Sequence, residues 1–277
     1  MAWLRIDFMN VTIVTSAGNP QIKEMASLLT PRGRRNSGTF LTDGFKVVEE
    51  AVHAGLTIVR MAVQNEVIES DRMRTLLKMP GVDSTPVLKV PRGLIKKLST
   101  VESPQGIVAE IKRPDALHRG SAPCTGLAVA CECIQDPRNL GLLLRSAHAA
   151  GACTVFLGPG SVDPYHAHTI SGSAGSVFHL SVVSNVNMQE LIQEMKAEGT
   201  EVWATAAAGG EPLPQAVAAA GGRMLLLLGN EGMGLSPDLQ KRADRMVSIP
   251  MPGGAESLNI AVSAAVVLFT FVMKKSG

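Results

Sequence analysis

Residues 126–133 read GLAVACEC, and residues 134–152 then read IQDPRNLGLLLRSAHAAGA. The first stretch is almost unbroken apolar sequence, with no apolar/polar alternation. A strand of that kind is covered on both faces, as in a parallel sheet flanked by helices. The same pattern recurs at 154–157 (TVFL) and 224–228 (MLLLL), with shorter stretches at 202–206 and 246–249. Between them, 140–150, 187–198 and 258–273 have helical periodicity. Ser257 stands where an N-cap of the last helix is expected, and Lys274 and Lys275 stand at its C-terminal end, where cations suit the helix dipole. Strand–helix alternation predicts an α/β fold. Ligands of such sheets sit at the carboxyl ends of the strands. Three loops there, beginning IQDPRN, GNEGMGLS and PMPGGAESLN, mix glycine, asparagine, charge and hydroxyls, and are expected to share one pocket.

Outward from this segment, 277 residues imply two domains. Apolar residues make up 45% and charged ones 18%, which excludes a disordered chain. The net charge of +2 excludes a polycation or an acidic tail, but it is unevenly spread. Up to about residue 123 there are 17 Lys+Arg against 12 Asp+Glu; beyond it, 9 against 12. A basic front half predicts contact with a polyanion. The apolar run 260–273 is shorter than the roughly 20 residues needed to span a bilayer, and reads as a buried helix. The first ten residues, MAWLRIDFMN, lack the apolar run of a secretory signal. Cys124, Cys131, Cys133 and Cys153 form no CxxC pair and are expected to be reduced thiols of a cytoplasmic protein.

The front half reads as a small α/β unit. A helix follows Asn19-Pro20 and is expected to stop near Thr30-Pro31, leaving Arg32, Arg34 and Arg35 on a loop suited to phosphate. Strands are predicted at 39–41, 58–63, 87–90 and 106–111, with a helix over 44–54. Nothing in this half pairs a nucleophile with a base or spaces metal ligands, so it reads as a binding module. The Pro-, Gly- and Ser-rich stretch 113–124 reads as a linker between domains 1–112 and 125–277.

Several ligand motifs are missing from the back half. No GxGxxG follows its first strand, there is no Walker A lysine, and SGSAGS (171–176) does not form GxSxG. His166 and His168 have no third ligand in view, so no metal is expected.

At the three loops the sequence closely resembles the SpoU/TrmH branch of the SPOUT methyltransferases. Asn139, Gly141 and Arg145 match its first motif; Gly229, Glu231 and Gly234 match its second; Ile249, Pro250, Met251, Ser257, Leu258 and Asn259 match its third. In the front half, TSAGNPQIKEMASL, GTFLTDGFKVVEEAV and SPQGIVAEI resemble an L30e-like substrate-binding domain. The resemblance implies a trefoil-knotted, dimerising catalytic domain and S-adenosylmethionine as cofactor. It also implies methylation of a ribose 2′-hydroxyl of RNA, most readily ribosomal RNA of the 23S type. Transfer RNA, and a non-catalytic RNA-binding or ribosome-assembly factor on the same fold, remain alternatives at this point.

The resemblance also implies roles. Thr205, Leu228, Gly229, Ile249, Met251 and Leu258 would border the cofactor. Asn139, Arg145, Glu231, Ser257 and Asn259 would be catalytic. The family assigns 2′-hydroxyl activation to the arginine, yet a guanidinium barely deprotonates. Anchoring the neighbouring phosphate and stabilising the developing alkoxide is the easier role for Arg145. Arg32, Arg34 and Arg35 are the candidate RNA contacts of the front domain.

Overall fold

The computed structural model describes residues 10–114, 126–206 and 209–275. The expectations for the first nine residues, for Cys124 and for most of the linker lie outside these. The chain divides into two units, Met1–Pro114 with Tyr165–Ala167, and Asp115–Pro164 with His168–Gly277.

In the first unit the elements run β1 (Val11–Ile13), α1 (Pro20–Ser27), α2 (Pro31–Ser37), β2 (Thr39–Asp43), α3 (Phe45–His53), β3 (Ile58–Gln64), α4 (Asp71–Leu77), β4 (Val87–Val90), α5 (Arg92–Leu98) and β5 (Ile107–Lys112). They form a mixed five-stranded sheet of order β1-β4-β3-β5-β2. Its β1–β4 and β3–β4 pairs are parallel, and β5 is antiparallel to both β2 and β3. Ile22, Met25, Leu88, Ile95 and Val108 are among the residues that form its core.

The predicted arginine loop is a helix. Thr30 Oγ1 accepts from Gly33 N–H at 3.1 Å, Pro31 takes the first helical position, and Gly38 closes the helix at φ +67°. Thr-Pro here starts a second helix rather than ending the first, because proline's missing N–H goes unmissed in the first turn. Arg34 is therefore corrected. It is 3% exposed and donates from Nη1 to the carbonyls of Leu28 and Leu29, at 3.0 and 3.2 Å, at the end of α1. Arg32 and Arg35 remain exposed on the outer face of α2.

The second unit continues with β6 (Leu127–Cys131), α6 (Pro137–Ala149), β7 (Thr154–Leu157), α7 (Ala167–Ser173), β8 (Ser181–Ser184), α8 (Met188–Ala197), β9 (Glu201–Thr205), β10 (Glu211–Pro212), α9 (Leu213–Ala219), β11 (Met224–Leu228), α10 (Pro237–Arg242), β12 (Arg245–Ser248) and α11 (Ile260–Lys275). Its sheet is seven-stranded and all parallel, in the order β10-β12-β9-β11-β6-β7-β8. Every residue of β6 and β11 is buried, as unbroken apolar strands require. The mixed α/β architecture with a parallel sheet, and a smaller front domain, is the one expected.

Three details differ from expectation. Strand β6 ends at Cys131, two residues short of the apolar stretch that suggested it; beyond it the Glu132 carboxylate accepts Ser236 N–H at 2.8 Å. Ser257 does not cap α11. Asn259 does: its carbonyl accepts Ser263 N–H at 2.9 Å, and its Oδ1 accepts from Ala261 and Val262 at 2.9 and 3.4 Å. The reduced-thiol expectation holds at Cys131 and Cys133 but not at Cys153, which is disulfide-bonded. Among the described residues no helix is long and apolar enough to cross a membrane.

Candidate active site

Strand β11 lies between β6 and β9 in the middle of the sheet. Beyond β11 the chain makes a tight closed turn. Asn230 and Gly234 exchange both backbone hydrogen bonds at 2.9 Å, and Asn230 Oδ1 accepts from Gly232 and Met233 at 2.9 and 3.2 Å. Asn230 Nδ2 donates to the Cys133 carbonyl at 3.0 Å, fastening the turn to the end of β6. The turn closes so tightly that a Cβ on Gly229 would stand 2.0 Å from Gly234 C and Leu235 N. It holds Glu231 at its tip.

The loop after β6 meets that carboxylate. Asp136 caps α6 by accepting Arg138 N–H at 2.7 Å, with Pro137 in the first helical position. This fixes the backbone so that Gln135 and Asp136 N–H donate to Glu231 at 3.3 and 3.2 Å. Asn139, in the first turn of α6, donates from Nδ2 to Glu231 Oε1 at 3.3 Å and accepts at Oδ1 from Asn259 Nδ2 at 2.8 Å. The direction of this chain is determined from its far end. Asn259 Oδ1 must face the N–H groups of α11, so its amide nitrogen faces Asn139, whose own nitrogen then faces the carboxylate. Glu231, Asn139 and Asn259 thus join all three loops in one polar chain.

The chain forms one wall of a cavity of about 600 Å³. Asn139, Glu231, Ser257 and Asn259 line it, and so do Thr205, Leu228, Gly229, Ile249, Met251 and Leu258. The volume lies in the range of about 300–1,000 Å³ usual for small-molecule and cofactor sites. Ser257, which does not cap α11, has no hydrogen bond among the described residues and lines the cavity. Sequence reasoning missed Ala206, Met233, Val247 and Ser263 in the lining, and the backbone donors of Gln135 and Asp136. The Asn-Glu-Gly of the turn was the available signal for Asn230, since such residues make side-chain-closed turns.

Arg145 is not brought into this cavity. It lies on the exposed face of α6, in line with Leu142 and Ala149 at helical spacing. Gly141 serves packing: a Cβ there would meet the Thr169 carbonyl at 2.7 Å and Gly172 at 3.0 Å, because α7 passes that close. Beneath the site, burial, with the charge of Glu231 adding to it, pushes the Cys131 thiol up to about 12. Cys131 is therefore an inert core thiol. No group of three or more His, Cys, Asp or Glu side chains placed to hold a metal occurs among the described residues.

Residues 126–269 match the model of the SpoU rRNA Methylase family, and residues 19–109 match the MRM3-like substrate binding domain. The chain belongs to the SpoU rRNA methylase family. Among relatives of this SpoU methylase is the 23S rRNA (guanosine(2553)-2′-O)-methyltransferase RlmP of Bacillus subtilis, 31% identical over 92% of this chain and 97% of the relative. Among solved structures, an RNA 2′-O ribose methyltransferase superposes with a TM-score of 0.83 at 30% identity, over 96% of this chain and all of that one. An AdoMet-bound rRNA methyltransferase from Sinorhizobium meliloti superposes at 0.82 and 28% identity, over 95% and 98% of the two chains.

Proposed function

We propose that this protein is an S-adenosylmethionine-dependent RNA 2′-O-ribose methyltransferase acting on ribosomal RNA of the 23S type in the cytoplasm. The observation that carries the reading is the chain Glu231–Asn139–Asn259, which ties the three motif loops into one wall of a cofactor-sized cavity. The names of the relatives over the full chain length support the substrate class.

The apolar side chains of Leu228, Ile249, Met251 and Leu258 would hold the adenine and the aliphatic part of the cofactor, with Thr205 at the border. When bound, S-adenosylmethionine supplies an electrophilic methyl group. The protein's own contribution is alignment and the exclusion of water. Glu231 and Asn139 hold the floor on which a ribose would rest, and Ser257 offers a hydroxyl beside it. Arg145, outside the cavity, would grip the phosphate next to the target ribose and offset the developing alkoxide charge.

The domain assignment we propose is an L30e-like RNA-binding domain at 1–112, a linker at 113–124 and a knotted methyltransferase domain at 125–277. The match of residues 126–269 to the SpoU rRNA Methylase family model supports the knot. A homodimer through the C-terminal domain is supported by Leu142 on α6 and Val262 on α11, each 46% exposed. Arg145 shares the Leu142 stripe, at the edge of such a contact.

Arg145→Ala tests the assignment. The variant is expected to bind S-adenosylmethionine within about twofold of the parent by calorimetry, and to lose at least ~100-fold in methyl transfer to ribosomal RNA. Normal turnover would remove Arg145 from the mechanism.

A further inference from the structure

A second cavity, of about 930 Å³, lies on the other side of the Glu231 turn. It opens where β6, β7, β8 and β11 end, bordered by Glu132, Pro159, Asn185 and Asn230, the location at which parallel sheets receive ligands. Asn230, Met233, Gly234 and Leu235 line both cavities, so one turn of chain is the wall between them. We propose that this second cavity receives a nucleobase of the RNA substrate, at or beside the nucleotide whose ribose is methylated. The proposal rests on the methyltransferase reading above.

Its chemistry favours a base over a phosphate. Val186, Met188, Leu235, Pro237 and Leu239 give it apolar walls. No lysine or arginine lines it among the described residues, and its two charged residues, Glu132 and Asp238, are carboxylates. Both carboxylates are engaged: Glu132 accepts Ser236 N–H at 2.8 Å, and Asp238 accepts Gln189 Nε2 at 2.8 Å and Arg242 Nε at 3.1 Å. A phosphate would be repelled there, whereas a neutral aromatic ring would not. Met233, on the shared wall, is 92% exposed. A methionine held in water on a tight turn is a ready face for an aromatic ring, since its polarizable sulfur and methyl pack well on π-systems. Gln135 lines the cavity beside it and has no side-chain hydrogen bond among the described residues, although its N–H binds Glu231. Its carboxamide offers the donor–acceptor pair that reads a base edge, and its backbone links that reading to the catalytic turn.

Full-length Gln135→Ala and Met233→Ala proteins test the proposal; both side chains are exposed, so folding is not at issue. Each is expected to weaken affinity for 23S ribosomal RNA by about tenfold, the scale on which one stacked base contributes. Gln135 lines only the second of the two cavities, so in Gln135→Ala S-adenosylmethionine affinity should stay within twofold. For both variants the slope of log affinity against log salt should not change, because neither side chain neutralises a phosphate. Unchanged RNA affinity, or a shallower salt slope, would overturn the base subsite. A second measurement separates this from failure of the enzymatic reading. In protein labelled at methionine methyls, Met188 lines only the second cavity and Met251 only the first. Titration with adenosine, guanosine, cytidine and uridine should shift the Met188 signal for at least one of them, even if the protein transfers no methyl. A Met188 signal that no nucleoside moves overturns the proposal.

Discussion

Glu231 accepts three N–H donors from two directions, and that geometry makes it sensitive to a change of one atom. In Glu231→Gln an NH2 group replaces one oxygen and faces either Asp136 N–H and Asn139 Nδ2, the partners of Oε1, or Gln135 N–H, the partner of Oε2. In either orientation donor opposes donor, and one of the contacts that fasten the turn to the loop after β6 is lost. Methyl transfer is expected to fall by ~100-fold or more in single-turnover assays while the far-UV spectrum is unchanged. Retained activity would reduce Glu231 to a turn residue. Cys131 gives a pH test at the same scale. Its thiol is held above the ordinary value of 9.0, so the folded chain binds this proton more tightly than the unfolded one. That contribution is complete below pH 9 and is lost as pH rises towards 12. Denaturant melts of Cys131→Ala should therefore lose less stability between about pH 9 and 11 than the parent; parallel losses would contradict the assignment. The motif residues were legible because glycine, asparagine and glutamate after apolar strands have few structural uses. Arg34 was misread because its burial depends on the end of a neighbouring helix, which no local pattern reveals.

At the scale of elements, the cap of α11 falls to Asn259 rather than to Ser257, which the sequence had offered for it. Asn259→Ala removes the cap and leaves Asn139 Oδ1 without its donor, at a cost of about 1 kcal/mol or more. Thermal unfolding should fall by about 2–4 °C per kcal/mol for a unit of this size. Ser257→Ala, which removes no hydrogen bond among the described residues, should unfold with the parent. Equal destabilisation of the two variants would restore Ser257 as the cap. Gly229→Ala forces a methyl into the backbone of Gly234 and Leu235, so the turn must open. Its expected signature is abolished S-adenosylmethionine binding with strain of about 1–3 kcal/mol. The long buried strands and their helices were readable from periodicity. Strands β1 and β10 were not, having three and two residues, too short to show any period. Helix α2 was hidden by reading Pro31 as a stop when Thr30 made it a start.

Across the whole molecule, the uneven charge is the feature that composition made visible and the structure refines. Of the three arginines singled out in the front domain, two, Arg32 and Arg35, remain exposed. Replacing both by alanine should reduce the salt slope of RNA binding by about 0.7–0.9 for each phosphate they neutralise, without changing cofactor affinity. An unchanged slope would place the polyanion elsewhere. Chain-wide properties were legible only in part. Alternating elements predict a parallel sheet, but strand order and the seven-strand extent depend on long-range pairing that a linear pattern does not encode. The central claim is that the cavity at the end of β11 serves methyl transfer to ribose. Its most direct measurement uses purified protein, S-adenosylmethionine carrying a trideuterated methyl, and unmodified 23S ribosomal RNA or transfer RNA in separate reactions. Digested nucleosides are then weighed by mass spectrometry. The account predicts the label on the ribose fragment of one nucleoside from ribosomal RNA. Label on a base, label confined to transfer RNA, or none in either with the cofactor bound would contradict it.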